Sequence, residues 1–69
     1  MKLRLAELRR QAGLNQTELA TMAGISPNYI SEIESGKVRN PGIWHVWQIV
    51  KALGVTVDEL IEEGEYGGG

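Results

Sequence analysis

Cysteine is absent from these 69 residues, proline occurs only twice and histidine once. The missing cysteines exclude disulfides and thiolate metal sites, which leaves helix packing and subunit association to stabilise the chain. That matters at this size, because so short a domain buries only about 60% of the surface its unfolded form exposes. His45 has no cysteine or second histidine at metal-ligand spacing, so a surface position is expected for it and no metal is called for. Apolar runs stay well short of the roughly 20 residues that span a bilayer, and the amino terminus has no hydrophobic signal core. A soluble, cytoplasmic protein without membrane contact is expected. Paired carboxylates in a cleft, an activated nucleophile and a phosphate-cradling glycine loop are also missing, so neither catalysis nor a cofactor is expected.

What is present is a segregated charge. The net charge is −2 overall, yet residues 1–57 carry seven basic against four acidic side chains, a net +3, and residues 58–69 carry five acidic and no basic ones, a net −5. The body is basic and the end acidic. Such an end is either a solvated solubility aid or a means of keeping a polyanion from one face.

Start and stop signals divide the chain into five helices, at about 2–12, 16–23, 27–35, 41–53 and 57–63. Gly13, Gly24, Gly36, Gly54 and Gly64 each follow a helical pattern, where a left-handed residue ends a helix. Asn15 with Glu18, and Thr56 with Glu59, have capping-box spacing. Ser26 before Pro27, and Asn40 before Pro41, place a cap ahead of a first-turn proline. Apolar stripes follow at Leu5, Leu8 and Ala12, at Leu19, Ala20 and Ala23, and at Ile30 and Ile33. On the fourth helix Ile43, Val46, Trp47, Val50 and Leu53 have the spacing of a buried face, with Val55, Leu60 and Ile61 closing the bottom. No segment alternates as a strand does. The expected fold is all-α, a single five-helix domain over residues 1–63 with a flexible Gly-rich tail at 64–69.

The third helix is short, and with Ile30 and Ile33 inward its Asn28, Ser31, Glu32 and Ser35 turn outward as one polar strip. Together with the second helix and the intervening glycine-containing turn it has helix-turn-helix spacing; an ordinary αα corner is the alternative. A helix-turn-helix sets the start of its second helix against base edges in the DNA major groove. Glu34 lies off the outer strip and needs a cation. Arg9, on the inner edge of the first helix beside Leu5 and Leu8, is the expected partner in a bidentate, partly buried ion pair.

The segments LRRQAGLNQTELA, GIS, YISEIESGK, NP and ALGVTVDEL resemble the Xre-type, phage repressor and Cro-like helix-turn-helix family from about Leu3 to Ile61. The resemblance implies a repressor-like domain whose third helix enters the major groove of double-stranded DNA, usually as a homodimer on a palindromic operator. Carried over by motif position, Pro27, Asn28, Ser31 and Glu32 face the bases. Gln16, with Asn15 and Thr17 beside it, resembles the family's phosphate-binding glutamine, and Lys37, Arg39 and Asn40 fall in the loop flanking the backbone. Tyr29 either reaches a phosphate or packs beside Ile33. The family pairing of an arginine in helix one with a glutamate in helix three matches Arg9 and Glu34. Where members often begin helix three with glutamine, Pro27 and Asn28 stand here.

Trp44 points away from the expected core and is read as a partner contact. Trp47 either packs at the core edge or joins it. The resembled family usually dimerises through helix five and the turn before it, which makes Val55, Val57 and Ile61 the competing patch. Two functions remain: a transcriptional regulator, most often a repressor, and a protein-binding module such as the antitoxin of a toxin–antitoxin pair, which needs a protein partner.

Overall fold

The computed structural model describes residues 3–61. Five helices follow one another: α1 (Leu5–Gln11), α2 (Gln16–Ala23), α3 (Pro27–Ser35), α4 (Ile43–Leu53) and α5 (Val57–Leu60). Each gives one fully enclosed side chain to a common centre, in order Leu5, Leu19, Ile30, Ile49 and Leu60, all at 0% exposure. Burying such a side chain contributes about 1.5–3 kcal/mol, so the five helices hold each other through one shared cluster.

Local chemistry explains most of the boundaries. Both capping boxes form: the Asn15 side chain accepts from the Glu18 amide while Glu18 reaches back to Asn15, and Thr56 and Glu59 do the same. Ser26 Oγ accepts from the Tyr29 amide at 3.1 Å, with Pro27 as the first helical residue of α3. Gly24, at φ +69°, turns the chain out of α2 while its neighbour Ile25 donates back to the Ala20 carbonyl at 3.0 Å.

Four expectations are corrected. α1 begins at Leu5, not at residue 2, because Leu3 forms an antiparallel bridge with Ile61 and the Arg4 amide donates to the Leu60 carbonyl at 2.7 Å. The same bridge ends α5 at Leu60, with Ile61 extended. α4 begins at Ile43 rather than at Pro41: Gly42 is its extended N-cap, and Pro41 is buried ahead of the helix instead of standing in its first turn. Ala12 is exposed, since α1 stops before it, and Arg9 takes the place it was expected to hold in the buried stripe.

The fourth helix is also rotated relative to the expected stripe. Ile49 and Val50 are buried, with Val46 and Leu53 packed against the core, whereas Ile43 is 88% and Trp47 54% exposed. Positions 46, 49, 50 and 53 satisfy the helical repeat as well as 43, 46, 47, 50 and 53 do, so an apolar pattern alone leaves the rotation open. Gly64 and the tail assigned to 64–69 lie outside the described residues.

Candidate nucleic-acid interface

α2 and α3 meet through Gly24, Ile25 and Ser26, and α3 rests on the core through Ile30 and Ile33. Its outer side carries Pro27, Asn28 and Ser35, all exposed, with Ser31 and Glu32 half-buried between them. The Lys37 ammonium lies 3.8 Å from Glu32 and gives that carboxylate a counter-charge at the end of the strip. Lys37, Arg39 and Asn40 are exposed beyond the helix end, and Asn15 and Thr17 are exposed at the start of α2. The Asn15 oxygen is already engaged in its cap.

Behind the strip lies a buried polar cluster. Arg9 donates through Nε to Glu34 Oε2 at 2.6 Å and through Nη2 to Oε1 at 3.1 Å, while its Nη1 reaches the Leu14 carbonyl at 2.8 Å. Only 10% of the Arg9 and 8% of the Glu34 side chain is exposed. Gln16 is half-buried and joins the cluster, donating through Nε2 to Glu34 Oε1 at 2.9 Å. Burial pushes the Glu34 carboxyl upward, but hydrogen bonds from Arg9 and Gln16, with the charges of Arg9 and Arg10, outweigh it and hold the group below its ordinary value. The hydrogen bond to Glu34 raises Arg9 in turn, against the opposing effect of burial.

A second surface begins at the start of α4. His45 is half-buried rather than exposed, with its ring centroid 4.5 Å from that of Tyr29 and 5.2 Å from that of Trp44. The ring stands close against the N-cap of α4, where a Cβ on Gly42 would lie 3.4 Å from His45 Nδ1. That nitrogen is buried without a hydrogen-bond partner among the described residues. Tyr29 therefore packs across to α4. Trp44 is 51% exposed, and Trp47 carries the Lys51 ammonium 3.9 Å above its ring.

Next to Trp47 lies an almost wholly apolar groove of about 340 Å³, lined by Leu3, Pro41, Ile43, Val57 and Ile61 among others. Val57 and Ile61 of the expected patch belong to it; Val55 packs against the core instead. Leu3, Pro41 and Ile43 were missed by the sequence reading. Only the open rotation of α4 hinted at Ile43, and nothing local hinted at the other two.

A helix-turn-helix family model matches residues 5–60. The chain belongs to the Xre-type, Cro-like helix-turn-helix family. The uncharacterized HTH-type transcriptional regulator y4dJ of Sinorhizobium fredii is 41% identical over 56 residues, which make up 81% of this chain and 71% of that protein. SinR of Bacillus subtilis is 34% identical over 60 residues, covering 87% of this chain and 54% of SinR, so the chain spans about half the length of that relative. Among solved structures, SinR in complex with DNA superposes with a TM-score of 0.81 at 32% identity, over 86% of this chain and 94% of that one. A chain of the SinR–SinI complex gives a TM-score of 0.83 at 32% identity, over 90% of this chain and 60% of that one. In this family the five-helix repressor-like fold and the helix-turn-helix of α2 and α3 are the common frame.

Proposed function

We propose that the protein is a sequence-specific, double-stranded DNA-binding transcriptional repressor that acts as a homodimer on a palindromic operator. The observation that carries this reading is the exposed strip of α3, fixed from behind by Ile30, Ile33 and the Arg9–Glu34 pair. A helix held from its inner side presents its outer side to the major groove without further ordering. There Asn28 pairs with adenine through its amide, and the Glu32 carboxylate accepts from a cytosine amino group. Pro27 and Ser31 line the same surface. Gln16, Asn15, Thr17 and Asn40 approach phosphates as neutral donors, while Lys37 and Arg39 supply charge and counterion release. Tyr29, packed on His45, stands at the edge of that contact. The similarity to SinR, solved with DNA, supports this reading.

The apolar groove supports the dimer reading. Leu3, Pro41, Ile43, Trp47, Val57 and Ile61 form a continuous apolar face, and a twofold axis through it buries that face in both copies. Two copies double the few phosphate contacts one domain offers and place two reading helices on half-sites about one helical turn, ~34 Å, apart. The test is selection of bound fragments from random duplex DNA at two salt concentrations. Enrichment of a two-fold symmetric sequence, with affinity falling as salt rises, is the expected result. Retention of no duplex in dilute buffer overturns the reading.

A further inference from the structure

Gln16 occupies the first position of α2, where the backbone amides of the opening turn have no partner within the helix. A glutamine there, exposed on a free helix end, samples many rotamers and loses that freedom on binding. Gln16 is not free. Its Nε2 donates to Glu34 Oε1 at 2.9 Å, and that same oxygen also accepts from Arg9 Nη2 at 3.1 Å. Glu34 is fixed in turn by Arg9 Nε at 2.6 Å, and Arg9 is anchored to the Leu14 carbonyl in the turn leading into α2. The chain of contacts runs from α1 through the α1–α2 turn and α3 back to the first residue of α2.

Resting on the DNA-binding reading above, we infer that Glu34 is the positioning residue for Gln16. One amide hydrogen of Gln16 is spent on Glu34, which sets the plane of the side chain, and the second is left to meet a phosphate oxygen. A primary amide has two such donors, so the two roles are compatible. A carboxylate near DNA ordinarily repels the backbone. Glu34 escapes this because its side chain is only 8% exposed and its charge is matched by the bidentate Arg9. Arg9 and Glu34 thus do more than fasten α1 to α3: they preorganise a phosphate donor that stands on neither helix.

The test is a double-mutant cycle of Gln16→Leu and Glu34→Gln, with binding to a mixed-sequence DNA duplex measured at low salt. Such a probe suffices because phosphate contacts are independent of sequence. Each variant is first verified as folded by circular dichroism at the binding temperature. Each single substitution is expected to weaken binding about two- to tenfold, the size of one hydrogen bond, and the double variant to be no weaker than the poorer single. Effects that multiply overturn the inference while leaving DNA binding intact. Wild-type protein that retains no duplex overturns the DNA reading and this inference with it. Should Glu34→Gln fail to fold, hydrogen exchange of the side-chain amides of the wild-type protein decides: one Gln16 hydrogen is expected to be protected, and exchange of both as fast as those of exposed Gln11 overturns the inference.

Discussion

Gln48 of α4 donates through Nε2 to the Ala23 carbonyl at 2.9 Å and so holds the last turn of α2 where the chain bends into α3. The carbonyls of a final helical turn lack partners within the helix, and Gln48 supplies one from outside. Replacing it by leucine keeps the bulk and removes the donor. Gln48→Leu is expected to lower stability by about 1 kcal/mol. The check is urea unfolding, where the midpoint falls and the slope stays constant.

The Arg9–Glu34 pair predicts a larger effect. Both side chains are about nine-tenths buried, so deleting one leaves the other as a desolvated charge. Arg9→Ala or Glu34→Ala is expected to cost about 3 kcal/mol, a large part of the margin of a domain this small. Loss of the cooperative transition, or a midpoint displaced far below that of wild type, checks it. A midpoint equal to wild type would refute it.

The same pair predicts acid sensitivity of a definite sign. Glu34 is held below the ordinary value of 4.5, so the folded state binds its proton less readily than the unfolded chain does. Its contribution is therefore complete above pH 4.5 and is lost as the pH falls through the depressed folded value. Glu7 is depressed by the hydrogen bond and charge of Arg4, but it is exposed and screened, so its share is minor. Stability measured from pH 6 downward is expected to fall less steeply in Glu34→Gln than in wild type. Parallel curves would remove Glu34 as the source.

Much of this was legible in the sequence because it depends on neighbours in the chain. Both capping boxes, the Ser26–Pro27 start and the Gly24 turn involve residues within five positions of each other, and their chemistry is fixed before any tertiary contact forms. The inward side of α3 was legible for the same reason, since Ile30 and Ile33 are its only aliphatic residues. α4 was not, because apolar residues lie on most of its sides and the core selects Ile49 over Ile43 only once the other helices are in place. Pro41 followed the wrong rule: its burial ahead of α4 outweighed the preference of proline for a first turn. The Leu3–Ile61 bridge and the Gln16–Glu34 contact join residues far apart in sequence and have no local signature.

The apolar groove predicts the dimer face. Ile43 is 88% exposed in the single domain, so an aspartate there costs the isolated fold little. At the centre of a subunit contact it buries an unpaired charge in both copies. If the proposed dimer forms through this groove, Ile43→Asp is expected to sediment as a monomer under conditions where wild type sediments as a dimer, with an unchanged circular dichroism spectrum. DNA affinity then falls because the second half-site no longer assists the first. Wild-type protein that stays monomeric at concentrations where it binds DNA sinks the proposed contact.

Specificity and affinity are expected to separate between two exposed residues. Asn28 stands in the first turn of α3, where a carboxamide can make two hydrogen bonds to an adenine edge. Asn28→Ala is expected to cost roughly 1 to 3 kcal/mol on the preferred sequence and almost nothing on others, flattening the preference at one base position in each half-site. Arg39 lies past the end of α3 and is exposed; in the proposed complex it serves as a phosphate contact, which carries no sequence information. Arg39→Ala is expected to weaken every sequence alike and to reduce the dependence of affinity on salt by about one phosphate contact per subunit. Repeating the selection with both variants at two salt concentrations checks each. Base preferences unchanged in the Asn28 variant remove that residue from the readers, and an unchanged salt slope in the Arg39 variant removes Arg39 from the phosphate contacts.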